Sequence, residues 1–119
     1  MYGPIDWDKL AWENVVPGIK RKVVHLKGGT VVLNHLEPDN EPFPHSHPHE
    51  QVAYVIQGKM EFTLGDQVIL LTPGQLLTIP PGETHQAVAK GREPCLNLDF
   101  FVPCREDYQA SPSLNESGD

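Results

Sequence analysis

Cysteine is scarce in this chain. Only two occur among its 119 residues, Cys95 and Cys104, and no second pair accompanies them. A zinc knuckle would need further ligands nearby, and a single disulfide would stand isolated in a chain of this length. The sequence therefore predicts two reduced thiols, which is typical of a cytoplasmic protein.

Basic residues and long apolar runs are also few. Nine Lys and Arg stand against sixteen Asp and Glu, which gives a net charge of -7. Binding to nucleic acid or to an anionic membrane surface needs a basic patch, so neither partner is expected. No basic-then-apolar leader and no apolar run of membrane-spanning length occurs, and the predicted location is the cytoplasm. An anionic small molecule remains a compatible partner, because one arginine can dominate the charge of a pocket.

A sustained helical period is missing, and short alternating segments take its place. The segment KMEFTL puts Met60, Phe62 and Leu64 on one face and polar side chains on the other, as in a sheet with one wet face. Similar segments recur about every eight to twelve residues, the spacing of a sandwich or barrel. Twelve prolines and ten glycines supply the turns between them. The prediction is a single all-β domain, which is long enough to bury one core.

The composition changes at both ends of this domain. Residues 1–18 mix aromatic and turn residues and are predicted to form an N-terminal arm, with Trp7 and Trp12 anchored on the same domain or on a partner subunit. Residues 19–105 carry the alternating segments and are predicted to form the barrel. Residues 106–119 are polar and are predicted to form a C-terminal tail.

Two histidines one residue apart stand in the stretch HSHPHEQVAYVIQG. Residues i and i+2 of an extended strand face the same side, so His45 and His47 are predicted to converge, and Gln51 has the same parity. His85 follows the turn Pro80–Gly82 and supplies a further imidazole. Imidazoles that converge on one point are typical ligands of a divalent transition metal. The remaining histidines stand singly; for His25 and His35 a surface or hydrogen-bonded role is favoured, and the pattern assigns none to His49.

The segment CLNLDFFV separates two rows of side chains. Leu96, Leu98, Phe100 and Val102 share one face, whereas Asn97, Asp99 and Phe101 share the other. If the first row is core, Asn97 and Asp99 lie in solvent. If both faces are covered, Asp99 is a carboxylate inside a pocket, where an unpaired charge is costly to keep without a use.

These motifs resemble those of the cupin family. The first cupin motif is matched at His45, His47 and Gly58, with Asp39 in place of the first glycine and Gln51 in place of glutamate. The second is matched at Gly74, Pro80, Gly82 and His85, with Ala89 in place of asparagine. The resemblance implies a small double-stranded β-helix, the jelly-roll barrel, with a metal between the two motifs. It is weakly specific for function, because one fold serves many reactions.

A closer likeness is to the KdgF-type pectin-degradation cupins, carried by HSHPHEQVAYVIQG, PPGETH and LDFFVPCRED. It implies conversion of ring-closed 4,5-unsaturated uronates, which come from pectin or alginate, to the linear keto acid. Dimers are also implied, since small cupins often pair. The likeness further implies roles for seven residues. The metal ligands would be His45, His47, Gln51 and His85, with Asp99 and Arg105 catalytic and Phe101 and Arg105 on the substrate, Arg105 gripping its carboxylate in a bidentate fork.

Several functional alternatives remain open at the level of sequence. A neutral amide ligand at Gln51 leaves the ion its full charge, which favours polarisation of a substrate oxygen over oxygen activation without forbidding either. The ligand set suits Ni, Zn, Mn, Fe, Co or Cu alike. A metal-dependent dioxygenase or lyase, a non-catalytic cupin that binds a sugar or small acid, and a vestigial site are the competing hypotheses.

Overall fold

The computed structural model describes residues 2–114. In that part of the chain the elements are one 3-10 turn and nine strands, and every predicted alternating segment forms a strand. In chain order they are η1 (Trp7–Lys9), β1 (Glu13–Val16), β2 (Ile19–His25), β3 (Thr30–Leu36), β4 (Glu50–Gln57), β5 (Lys59–Leu64), β6 (Gln67–Leu71), β7 (Leu76–Ile79), β8 (His85–Lys90) and β9 (Cys95–Val102).

The strands form two antiparallel sheets that face each other. The large sheet has the order β1-β2-β3-β9-β4-β7, and the small sheet has the order β6-β5-β8. Alternation places Met60 and Phe62 of the small sheet inward, each 2% exposed, against Leu36 and Val55 of the large sheet. Sequence-adjacent strands lie in different sheets at several points, which is the arrangement of a jelly roll.

The two rows of β9 take opposite sides of the large sheet, and the apolar row is the outer one. Asn97 and Phe101 point inward and are 1% and 3% exposed, whereas Phe100 and Val102 are 41% and 57% exposed. Asp99 has the parity of Asn97 and therefore also points inward. Of the two alternatives left open for this segment, the structure shows the one in which Asp99 lies on the inner side: the polar row faces the interior, and the apolar row lies on the outer face, where Phe100 and Val102 are exposed among the described residues.

The segments that flank the barrel contact it. Trp12 lies against the outer side of β2 and β3, with the Nζ atoms of Lys20 and Lys22 at 4.8 and 4.4 Å from its ring and the His35 ring at 6.0 Å. The backbone N–H of Ser111 donates to the carbonyl of Val23 at 2.9 Å. Of the two roles predicted for Trp12, the structure shows the contact with its own domain.

The predicted boundaries at residues 18/19 and 105/106 stay predictions. Within the predicted arm, β1 already adds a strand to the large sheet. Met1 and the last part of the predicted tail, residues 115–119, lie outside the described residues. None of the helical structure in residues 2–114 has the length and apolarity that crossing a membrane requires.

Candidate functional site

Backbone pairing brings three histidines together between the two sheets. His45, which precedes β4, forms an isolated antiparallel bridge with His85 at the start of β8, with N···O distances of 3.0 and 2.9 Å. The backbone N–H of Gly82 donates to the carbonyl of His47 at 2.8 Å and fixes the Pro80–Gly82 turn beside it. One ring nitrogen from each of the three histidines lies within 4.8 Å of the others. The convergence therefore comes from this bridge and turn, since His45 and His47 precede the strand and do not lie in it.

Each imidazole of this cluster is held in one tautomer. The Nδ1 atoms of His45, His47 and His85 lie 2.8, 3.0 and 2.9 Å from backbone carbonyl oxygens. A carbonyl oxygen only accepts, so each Nδ1 carries the proton and each Nε2 presents a lone pair. Nε2 of His85 is buried and has no hydrogen-bond partner among the described residues. Carbonyl contacts of this kind orient histidine ligands around a metal.

Burial keeps two of these rings neutral, those of His47 and His85. Desolvation lowers the pKa of His85 to about 4, and it also lowers the pKa of His47, although Oε1 of Gln51, which would accept from the protonated ring, acts in the opposite direction. A neutral imidazole is the form that binds a metal. At neutral pH the cluster is therefore ready to take a cation without first losing protons from these two rings.

Gln51 faces this cluster from β4 with its amide oriented by a carboxylate. Its Nε2 donates to Oδ1 of Asp99 at 2.9 Å, which turns its Oε1 toward Nε2 of His47, 3.0 Å away. Because Nδ1 of His47 holds the ring proton, two lone-pair atoms face each other at this contact. A cation between them would resolve that repulsion, so the donor set of three imidazoles and one amide oxygen fits a divalent transition metal.

The same contact gives a physical reason for glutamine at this position. A glutamate would put a second carboxylate at hydrogen-bonding distance from Asp99, where two like charges destabilise each other. The amide instead accepts on one side and donates on the other. Gln51 therefore links the metal-ligand cluster directly to the only carboxylate that lines the cavity among the described residues.

Asp99 is the hub of a network of amides. Oδ2 accepts from Asn34 Nδ2 at 2.7 Å, and Oδ1 accepts from Gln51 and from Asn97 Nδ2, both at 2.9 Å. Desolvation raises the pKa of Asp99 to about 6, although these three hydrogen bonds act in the opposite direction. The carboxyl group can thus gain or lose a proton near neutral pH, as an acid–base group requires.

Arg105 brings a positive charge to the same cavity. Its guanidinium carbon lies 4.7 Å from the Phe101 ring centre and 3.9 Å from that of Tyr108. Nε and Nη2 donate to the two carboxylate oxygens of Asp107 at 3.0 and 2.8 Å, and this hydrogen bonding lowers the pKa of Asp107 to about 2. The Nη1–Nη2 edge of the guanidinium keeps N–H donors that Asp107 does not use, so the predicted bidentate grip on a substrate stays a prediction. Nη1, which is buried without a partner among the described residues, is the free donor.

A cavity of about 380 Å³ lies between the sheets. The side chains described above that line it are His45, Gln51, His85, Asp99 and Arg105. Its polar wall carries Asp99, Asn97 and Arg105, and its apolar wall is supplied by Met60, Phe62 and other side chains of the two sheets. Phe101 lies between Arg105 and the His47 ring, whose centre is 5.3 Å from its own. The volume suits a small molecule, and the polar groups converge from one side.

Sequence reasoning missed Asn34 and undervalued Asn97. Strand parity placed Asn97 on the face of Asp99, but only the register of β3 on β9, with Asn34 opposite Asn97, brings the second amide to the carboxyl group. The amide oxygen of Asn97 is buried and has no partner among the described residues. Both residues therefore belong to the polar wall of the cavity.

Comparison with known proteins yields relatives that match most of this chain. The model of the cupin domain family matches residues 23–101. The pectin degradation protein KdgF of Dickeya dadantii (strain 3937) is 30% identical over 103 residues, which make up 85% of this chain and 93% of that protein.

Two solved structures are similar to this chain in both sequence and fold. KdgF from Halomonas sp. is 34% identical with a TM-score of 0.80, and the match covers 86% of this chain and 95% of that one. An RmlC-like cupin from Shewanella frigidimarina is 26% identical with a TM-score of 0.80, and the match covers 88% and 94% of the two chains. The predicted single-domain jelly roll is thereby confirmed.

Proposed function

Because this chain belongs to the cupin family and is similar to KdgF over most of its length, we propose that it opens the ring of 4,5-unsaturated uronates and yields the linear 4-deoxy-5-keto uronate. We assign one divalent transition metal to His45, His47, Gln51 and His85. The observation that carries the proposal is the hydrogen bond from Gln51 to Asp99, since it places the carboxyl group of Asp99 beside the histidine cluster in the cavity between the sheets.

The cavity offers complementary groups for a uronate. Nη1 of Arg105 is a buried cationic donor without a partner in residues 2–114, which suits one oxygen of the substrate carboxylate. The amide oxygen of Asn97 is a buried acceptor that likewise has no partner in that range, which suits a sugar hydroxyl. Phe101 supplies an apolar wall next to both the arginine and His47. Substrate binding would give both polar atoms a hydrogen-bond partner.

Ring opening needs one proton to move from oxygen to carbon. Asp99, as carboxylate, takes the proton of the anomeric hydroxyl; the C1–O5 bond breaks, C1 becomes a carbonyl carbon and O5 remains as an enolate oxygen on C5. Asp99 then returns the proton to C4, which leaves a ketone at C5 and balances the reaction as an isomerisation. A divalent metal held by His45, His47, Gln51 and His85 would supply positive charge on this side of the cavity. Asn34 and Asn97 hold the carboxyl group in place for both transfers.

The direct test is turnover in the absence of oxygen. Metal-loaded protein is expected to speed the loss of the ultraviolet absorbance of an unsaturated galacturonate-derived or alginate-derived uronate under anaerobic conditions. Oxygen uptake that accompanies product formation would instead identify a dioxygenase. Saturable binding of the uronate with no turnover for any first-row divalent metal would overturn the enzyme proposal in favour of a binding cupin.

We also propose that two copies pair through the outer face of the large sheet. On adjacent strands β9, β4 and β7 this face presents Phe100, Val102, Ile56 and Leu76, which are 41 to 57% exposed. A contiguous apolar surface on a small domain marks an interaction site. A self-complementary sheet face of this kind suits a two-fold dimer. The cytoplasmic location expected from the sequence stays a prediction.

Sedimentation velocity measures this pairing. The wild-type protein is expected to sediment as a dimer at micromolar concentration, and Phe100→Asp is expected to sediment as a monomer, because a charge on this face would be desolvated in the dimer. Val68→Asp is the matched control: Val68 is 61% exposed on the small sheet, away from the proposed interface. A monomeric wild type, or a dimeric Phe100→Asp, would contradict the proposal.

A further inference from the structure

A thiol and an imidazole form a pair outside the cavity. Sγ of Cys104 lies 3.2 Å from Nδ1 of His25. Nε2 of His25 lies 2.9 Å from the carbonyl oxygen of Tyr108, which can only accept a hydrogen bond. The proton of the neutral ring is therefore on Nε2, and Nδ1 presents its lone pair both to the thiol and to the hydroxyl of Thr30, whose Oγ1 lies 2.9 Å away. A nucleophile beside a base that is oriented by a third group is the arrangement of an activated side chain.

Thr30 completes the surroundings of this thiol. Its Oγ1 lies 3.3 Å from Sγ of Cys104 and accepts the backbone N–H of Arg105 at 2.9 Å. If the thiol proton moves to His25, Sγ receives one hydrogen bond from Nδ1–H and one from the Thr30 hydroxyl. Every donor in the cluster then has an acceptor once the Thr30 hydroxyl has turned from Nδ1 to Sγ, so the thiolate would be hydrogen-bonded with all heavy atoms in their present positions.

Solvent reaches Cys104 from a second cavity. Cys104 is half-buried and lines a cavity of about 540 Å³, together with the exposed residues Pro48, Pro103 and Glu106. The other cysteine, Cys95, differs from Cys104 in its burial and in the pKa of its thiol. Cys95 is 0% exposed, and desolvation raises the pKa of its thiol to about 12. The chain thus contains one thiol arranged for reaction and one that serves as an internal control.

We propose that Cys104 is a site of modification by hydroperoxides, with His25 as its base. Nδ1 of His25 takes the thiol proton, and Sγ attacks one peroxide oxygen. The O–O bond breaks, and the leaving oxygen takes the proton from His25 and departs as water from hydrogen peroxide or as an alcohol from an organic hydroperoxide. The sulfur is oxidised to sulfenic acid and the peroxide is reduced, so atoms and electrons balance. No other co-reactant is required.

Oxidation of Cys104 would affect the cavity of about 380 Å³ through Thr30 and Arg105. An added oxygen on Sγ competes with the hydrogen bonds that Thr30 makes to Cys104 and to the backbone N–H of Arg105. Because Arg105 follows Cys104 directly, its position in the cavity wall would shift. This consequence rests on the proposed function, since Arg105 is assigned there to the substrate carboxylate. The expected result is a raised KM for the uronate after oxidation, with recovery after reduction by a thiol.

The reactivity itself is measured without any activity assay. Full-length protein is treated with hydrogen peroxide and dimedone, and separately with iodoacetamide, in native and urea-unfolded form, and each cysteine peptide is quantified by mass spectrometry. Cys104 is expected to react about tenfold faster in the folded protein than in the unfolded chain, whereas Cys95 reacts more slowly when folded. A folded Cys104 that reacts no faster than the unfolded one would overturn the proposal.

Variants separate the base from simple exposure. His25→Gln is expected to slow labelling of Cys104 by about tenfold. His35→Gln is the matched control, because His35 lies on the outer side of β3 against Trp12, away from the thiol. Unchanged labelling in a folded His25→Gln would remove His25 as the base. The native-to-unfolded ratio in the wild type remains decisive should the variant fail to fold.

Discussion

Asp99→Asn is expected to lower kcat for the unsaturated uronate by roughly 10²- to 10⁴-fold, the contribution of a positioned acid–base group. The substitution keeps the size of the side chain but removes the carboxyl group to which we assign both proton transfers. Initial rates of ultraviolet absorbance loss at saturating substrate measure the effect. Because Asp99 accepts from three amides, the metal content and melting temperature of the variant are measured alongside.

Asp66→Asn is the matched control for this substitution. Asp66 is exposed in the turn between β5 and β6 and lies outside the cavity lining, so its kcat is expected to equal that of the wild type. An Asp99→Asn protein that binds metal, melts like the wild type and still turns over at the wild-type rate would contradict the role of Asp99.

The pH profile identifies the same group. Desolvation raises the pKa of Asp99 to about 6, so below pH 6 the carboxyl group is protonated and cannot accept the anomeric proton. We expect kcat/KM to fall about tenfold per pH unit below this value and to level off above it. The stability of the fold changes in the opposite direction. As the pH rises from 3.8 to about 6, the contribution of Asp99 to the free energy of unfolding decreases, because ionisation of the desolvated carboxyl group is penalised. A rate profile flat from pH 8 to about pH 4 would contradict the assignment.

His85→Ala is expected to abolish both metal binding and turnover. His85 is 2% exposed, its Nδ1 is fixed by the carbonyl of Glu83, and its Nε2 has no partner within residues 2–114, so its lone pair is available to a metal. Loss of one of four ligands weakens a divalent site severely, and the reaction then lacks the charge that stabilises the enolate. Elemental analysis of protein purified without an affinity tag gives the metal-to-chain ratio.

His35→Ala controls for the loss of an imidazole elsewhere. His35 lies on the outer side of β3 and contacts Trp12, so metal content and rate are expected to stay at wild-type values. A circular dichroism spectrum of His85→Ala that matches the wild type shows that the barrel has formed. If that folded variant retained a full complement of metal, the proposed ligand set would be wrong.

The strands of this protein are predictable because their signals are local. Alternation such as that of Met60, Phe62 and Leu64, with turns at Gly65 and Gly74, predicted most of the strands, whereas β1 lies in the segment predicted to be an arm. The pairing of His45 and His47 with Gln51 was likewise suggested by parity. Local patterns do not, however, say which side of a strand is covered. In β9 the more apolar row lies outside, because the inner row serves the cavity and the outer row is left on a sheet face.

The residues that surround Asp99 could not be found from the sequence. Asn34 lies 65 positions before Asp99, and the two meet only because β3 pairs with β9. The contacts of Arg105 could not be found from the sequence either. Its Nε and Nη2 donate to Asp107, and Nη1 is left without a hydrogen-bond partner among the described residues. Hydrogen-bond partners of a long side chain depend on geometry of a few tenths of an ångström, which residue types and spacing do not encode.

By itself the sequence determined that this is an all-β chain with two cupin motifs, since hydrophobic alternation, turn residues and motif spacing act over short stretches of chain. Only the tertiary structure decided that the imidazole tautomers are fixed by backbone carbonyls, that Gln51 joins the ligand cluster to Asp99, and that His25 meets Cys104. The carbonyls that fix the tautomers lie only two residues from each histidine, but their orientation depends on the conformation of loops and turns. The other two contacts depend on strands distant in sequence being paired in one register, and a shift of one residue in that register would turn Gln51, Asp99 and His25 to the opposite face.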